Sequence, residues 1–249
     1  MRFLNPSVIK VVFLALGVLP FSPCNLHAKS PAPTPVAASP GGPFTPEQSG
    51  SGFIKDFQRW AAEDEGKLPQ PAAVLAIGSS SMRMWKSIAQ DLAPATIIHR
   101  GFGGSTMKDV VLMQSFFDRY GCQKILLYEG DNDLSKDDSN VDADFLDHLK
   151  SFIAGIRKNH PDTEFYLMSI KYSPRRVSRI PAYAQANKAM AEMAGADQKI
   201  HFIDTNSPML GGNELPREDL FKNDYLHMNE KGYAIWKDAV RAALLNEKK

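Results

Sequence analysis

Cysteine is scarce in this chain of 249 residues, which has only Cys24 and Cys122. If an N-terminal segment carrying Cys24 is removed, no intrachain disulfide can form. The remaining domain must then hold together through its apolar core, even in an oxidising compartment. An excess of charge of one sign is also missing. The 29 basic residues are offset by 28 acidic ones, with no basic stripe interleaved with aromatics. Nucleic acid is excluded as a partner on that ground, because binding it leaves a basic electrostatic footprint. No internal repeat occurs. The one sustained apolar run, over residues 11–21, is too short for a permanent membrane span, so no stable span is expected.

That run has a different reading. Arg2 and Lys10 precede it, and small and polar residues follow near "NLHAKS", the layout of a secretory signal. Residues 1–28 are therefore expected to direct export, to a periplasm or to the medium. Cys24 raises a lipid-anchor alternative, which Pro23 directly before it fits poorly. Residues 29–52 are dominated by Pro, Ala, Ser and Gly and offer little to bury, as a disordered linker does. The folded domain is expected over residues 53–249, and 43% hydrophobic content suffices for a sizeable core.

Within the domain, strand-like runs at 72–78, 96–102, 123–130, 164–170 and 199–205 alternate with helical stretches at about 53–67, 82–91, 107–119, 142–158, 180–195 and 229–246. The clearest helix carries Phe145, Leu149, Phe152 and Ile156 on one face. Continuous apolar strands separated by amphipathic helices indicate a parallel sheet covered on both faces. The expected fold is a five-stranded, three-layer α/β/α sandwich of doubly wound type. Ligands of such sheets bind beyond the carboxyl ends of the strands, so that is where chemistry should lie.

Distinctive residues do follow the strands. "GSSS" (Gly78–Ser81) ends the first, "GFGGST" (101–106) the second and "EGDND" (129–133) the third, while "NDYLHMN", with Asp224 and His227, follows the last. Each has a plain reading as turn chemistry. "GFGG" falls short of a dinucleotide fingerprint, since Thr106 stands where a third glycine is needed, and it lacks the lysine of a phosphate loop. "GDND" lacks the further acidic ligands of a calcium loop. Taken together, however, the four blocks supply the parts of a serine hydrolase. A serine hydroxyl needs a base, and His227 can be that base. Asp224 can hold the imidazole tautomer. Backbone N–H groups after the first strand and at Gly104, with the side-chain amide of Asn132, can bind a developing oxyanion. The G-x-S spacing selects Ser80 over Ser79 or Ser81 as nucleophile.

This ordered set resembles the SGNH/GDSL hydrolase superfamily, in particular bacterial members that read "GSSS" at the first block. The resemblance extends over about 55–245 and takes in "SIK" (169–171), "SPML" (207–210) and "HMNEKGYAIW" (227–236). It implies a flavodoxin-like sheet and a triad of Ser80, Asp224 and His227. It also implies an oxyanion hole from Ser80, Gly104 and Asn132, and ester hydrolysis without metal or cofactor. One departure is Ser79, where the family pattern has aspartate.

Further candidates are Asp133 and Lys171 as substrate-binding residues. Lys171, Arg175 and Arg176 follow the fourth strand and read either as a polar-substrate pocket or as a solvated loop; Asp133 either positions Asn132 or caps a helix. Arg83 and Trp85 read as packing, and His99, His148, His160 and His201 as structural or exposed. Cys122 opens an apolar run and reads as buried and inert. The expected activity is hydrolysis of a small-molecule ester, with short acyl groups such as acetyl on a sugar or another small polar alcohol. The alternatives are a lysophospholipase or thioesterase, and a catalytically silent carbohydrate-binding envelope protein.

Overall fold

The computed structural model describes residues 52–66, 72–135 and 141–245. The expected export signal and all but the last residue of the linker lie outside the described residues. Five strands form one sheet: β1 (Val74–Gly78), β2 (Ile97–Gly101), β3 (Lys124–Tyr128), β4 (Glu164–Met168) and β5 (Ile200–Ile203). All pairings are parallel, in the order β2-β1-β3-β4-β5. Helices cover both faces, as the apolar strands require. In register, Gly78 at the end of β1 lies between Gly101 of β2 and Tyr128 of β3. The segments that leave these three strands therefore emerge side by side.

Successive side chains of a strand point to opposite faces, and this alternation divides the core in two. Leu75, Ile77, Ile125 and Leu127 join an aromatic-rich cluster with Phe57, Trp60, Phe102, Phe117 and Phe152. It is built by α1 (Ile54–Glu63), α4 (Met107–Leu112), α5 (Gln114–Asp118), α6 (Val141–Asn159) and α7 (Ile180–Ala196). Val74, Ala76, Leu126 and Tyr128 face a second cluster around Trp85 and Trp236, built by α2 (Ser80–Met84), α3 (Ile88–Asp91) and α8 (Glu230–Leu244). The first helix among the described residues, α1, is tied in by charge as well as by Phe57 and Trp60. Asp64 just beyond it accepts from Arg100 of β2 at 2.7 Å and from Arg119 at 2.5 Å.

Two helices expected to be continuous are not. The stretch 82–91 starts earlier, at Ser80, and divides into α2 and α3. Trp85 leaves helical geometry (ψ 74°), is fully buried and packs on Tyr233 and Trp236 with ring centroids 6.0 and 5.8 Å away. Its indole N–H donates to Asp91 at 2.7 Å. Burying a large ring with its one donor satisfied outweighs one more turn of helix. The stretch 107–119 likewise divides, at Met113, into α4 and α5.

Candidate active site

The first block becomes a tight strand-to-helix turn. The Ser79 N–H donates to the Tyr128 carbonyl at 3.2 Å, continuing the sheet by one step, and the Ser79 carbonyl accepts from the Arg83 N–H at 3.0 Å, opening α2. Ser80 is thus the first residue of α2, where leading N–H groups have no acceptor within the helix. Of the three serines, Ser79 and Ser81 are buried, each 1% exposed. Ser80 is half-buried, and its hydroxyl meets His227.

His227 and Asp224 lie in the connection that leads into α8. Asn229 caps that helix, accepting from the N–H groups of Lys231 and Gly232 at 2.9 and 3.3 Å. Asp224 folds the connection onto itself, since its Oδ1 accepts from the N–H groups of Leu226 and His227 at 3.0 and 2.9 Å. Tyr225 between them adopts a left-handed backbone, with φ of 56°. It is held there by its own N–H on Lys222 and by the Arg175 N–H on its carbonyl, at 2.8 and 3.0 Å. The other Asp224 oxygen lies 2.6 Å from His227 Nδ1. An ionised carboxylate only accepts, so Nδ1 carries the proton and Nε2 is left as an acceptor. Nε2 is 2.8 Å from Ser80 Oγ. Burial acts to raise the Asp224 carboxyl, but the hydrogen bonds from the His227 ring and from the His227 and Leu226 amides outweigh it. They hold the carboxyl well below the usual carboxylate range.

The second and third blocks leave β2 and β3, the strands on either side of β1. Gly104 is exposed and has φ of +90°, a conformation that favours glycine. Asn132 is tied to the next residue along: its amide Nδ2 donates to the Ser105 carbonyl at 2.9 Å, and Oδ1 accepts from Arg176 Nη2 at 3.3 Å. Ser105 in turn donates to the buried Glu129 carboxyl at 2.5 Å. Burial first, and the nearby Asp133 charge second, push Glu129 well above its ordinary range.

Two expectations are corrected. Lys171 was expected to face a polar substrate, but its side chain is 0% exposed and its ammonium pairs with the buried Asp131. A group sealed in this way meets no substrate, and it sits inside because Asp131 supplies its counter-charge. Asp133 was also expected at the substrate. Its Oδ1 accepts from the Met107 N–H at 2.8 Å, so the carboxylate caps α4, the plainer of its two readings. Burial, only partly offset by that bond, pushes its carboxyl up to about 6.

Among the remaining residues, Arg175 is exposed, whereas Arg176 is drawn in. Its Nη1 donates to Asp131 Oδ1 and to the Asp131 carbonyl, both at 2.5 Å. His99 braces α2 through Met82 O at 2.7 Å, His201 lies 2.9 Å from Glu164, and Cys122 is buried. Sequence reasoning passed over Asp131, Ser105 and Tyr183, whose hydroxyl donates to Asp131 at 3.1 Å. The only trace of them was an acidic residue after β3 and a run of cations after β4. Among the described residues no group of three His, Cys, Asp or Glu is arranged to hold a metal. No helix among them is long and apolar enough to cross a membrane.

Comparison with known proteins bears on this arrangement. A family model described as GDSL-like Lipase/Acylhydrolase matches residues 74–235, from the start of β1 into α8. No curated protein matches the chain. Solved structures share its fold at low identity. A protein from Streptococcus pneumonia named for platelet activating factor is 22% identical, with a TM-score of 0.65 over 78% of this chain and 92% of that one. A GDSL-like lipase from Bacteroides thetaiotaomicron is 20% identical, with a TM-score of 0.63 over 76% and 97%. The catalytic domain of peptidoglycan O-acetyltransferase A from Streptococcus pneumoniae is 16% identical, with a TM-score of 0.53 over 72% and 95%.

Proposed function

The chain belongs to the GDSL-like lipase/acylhydrolase family, and we propose that it is a serine esterase removing short acyl groups, acetyl foremost, from carbohydrate or another small polar alcohol. The observation that carries the reading is His227, held between Ser80 Oγ at 2.8 Å and Asp224 at 2.6 Å. In the proposed reaction Ser80 Oγ attacks the ester carbonyl while His227 Nε2 takes its proton. Asp224 keeps the ring in the tautomer that can do so and stabilises the imidazolium. The oxyanion is received by the N–H groups of Ser80 and Gly104 and by the Asn132 amide. Collapse expels the alcohol, which takes the proton back from His227. A water activated by the same base then releases the acid from the acyl-serine.

Two observations support a short acyl group on a polar alcohol. The fold is shared with a protein named as a peptidoglycan O-acetyltransferase, and the side chains of Arg176 and Ser135, which hydrogen-bond to Asn132, are both polar. The export signal read in residues 1–28 puts the substrate outside the cytoplasm. The test is a series of p-nitrophenyl esters from acetate to decanoate, with Ser80→Ala alongside. The proposal expects kcat/KM to peak at the shortest chains and the variant to lose activity by about a millionfold. A peak at long chains would turn the reading to lipid esters, and undiminished activity in the variant would remove Ser80 as nucleophile.

A further inference from the structure

Behind Asn132 lies a charge cluster larger than packing requires. Asp131 is buried, and one of its oxygens takes the fully buried Lys171 ammonium and the Tyr128 hydroxyl at 3.1 Å. One cation already neutralises one carboxylate. Yet the other oxygen takes a second cation, Arg176, at 2.5 Å, together with the Tyr183 hydroxyl at 3.1 Å. Arg176 Nη1 is anchored a second time on the Asp131 carbonyl. Its remaining fork nitrogen, Nη2, reaches Asn132 Oδ1 at 3.3 Å.

The Asn132 amide has two faces that look alike sterically and are opposite electrically. With Nδ2 toward the reacting carbonyl it donates to the oxyanion; flipped, it would present an oxygen and repel it. A guanidinium has donors only, and a backbone carbonyl accepts only. Arg176 on the Oδ1 side and the Ser105 carbonyl on the Nδ2 side, at 2.9 Å, therefore specify the same orientation. One Nδ2 hydrogen goes to Ser105 and the other is left for the oxyanion. A cation on Oδ1 also withdraws electron density from the amide, which strengthens the remaining N–H as a donor.

We infer that Arg176 is a positioning residue for acyl transfer: anchored on Asp131, it fixes and polarises the Asn132 amide that receives the oxyanion. The inference rests on Asn132 acting as proposed above. Its effect belongs to the transition state, since the ground-state ester carries no oxyanion, so it should appear in kcat and not in KM.

The test is a double-mutant cycle on the full chain. It uses the p-nitrophenyl ester of highest kcat/KM, with kcat counted per serine labelled by a fluorophosphonate. Asn132→Ala alone should cost kcat about a hundred- to a thousandfold. Arg176→Gln should cost roughly ten- to a hundredfold with KM nearly unchanged, because the donor remains but is no longer held or polarised. The double variant should be no slower than Asn132→Ala. Arg176→Lys keeps a cation on Asp131 and so protects folding, but it lacks the second nitrogen that reaches Asn132; its kcat should fall as that of Arg176→Gln does. Costs that multiply in the double variant, or an Arg176→Lys enzyme with unchanged kcat, would overturn the inference and leave the triad reading intact. A normal kcat in Asn132→Ala would instead refute the oxyanion assignment on which it rests.

Discussion

Replacing Gly101 by alanine tests how the serine is aimed. Gly101 pairs with Gly78 across β1 and β2, directly beneath α2. A Cβ at 101 would lie 2.6 Å from Arg83 Cα and 2.9 Å from the Met82 carbonyl carbon, and closer still to the Arg83 amide nitrogen. Carbon atoms in good contact sit about 3.5–4.0 Å apart, so α2 must move by about 1 Å. All three neighbours are backbone, and no change of rotamer relieves the clash. The brace from His99 to Met82 O, at 2.7 Å, moves with them. Overpacking of this kind costs about 1–3 kcal/mol, which in a domain of this size lowers the melting temperature by roughly 2–4 °C per kcal/mol. Because α2 has five residues with Ser80 at its start, the shift also displaces Oγ from His227. A misplacement of about 1 Å costs kcat on the order of a hundredfold. Melting curves and p-nitrophenyl ester kinetics on the same preparation read both effects. An unchanged kcat would show that the close approach of β2 to α2 at Gly101 does not set the position of Ser80, whatever the melting temperature does.

Other expectations come from groups whose ionisation the fold shifts. Asp133 is pushed up to about 6, so between about pH 4 and pH 6 the native state holds a proton that the unfolded chain has released. Stability from this group is therefore present in acid and lost as pH rises through that window, by about 1–2 kcal/mol after allowance for partial solvent screening. Asp133→Asn keeps an acceptor for the Met107 N–H and removes the charge. Its melting temperature should exceed that of the wild type at pH 8 and converge with it at pH 4, and parallel curves would contradict the assignment. Burial pushes the Cys122 thiol up to about 12, so iodoacetamide at pH 8 should alkylate it only in denaturant, as followed by peptide mass spectrometry. Labelling in the native protein would show that the strand it introduces opens.

Much of this molecule is legible in its order of residues, for reasons that can be stated. Apolar strands that alternate with amphipathic helices admit few architectures, and a parallel sheet exposes its strand ends to ligand. The blocks at Ser80, Gly104 and Asn132 each follow a strand, so they could be placed together without coordinates. Asp224 and His227, three residues apart, could be linked by local geometry alone. Contacts set by distant segments were not legible. Trp85 sits in a stretch that reads as helix, and only the aromatic partners contributed by α8 make it a break. Lys171 carries the charge of a surface residue, and only Asp131, 40 positions away, makes its burial tolerable. Asp133 has the chemistry of either a ligand or a cap, and the Met107 amide beyond another strand decides between them. Local propensity and periodicity act over a few residues, so the sequence by itself determined the elements, their layering and the residues at the strand ends. Which charges are buried and which amide face is presented depend on pairings between segments far apart in the chain, and those only the tertiary structure decided.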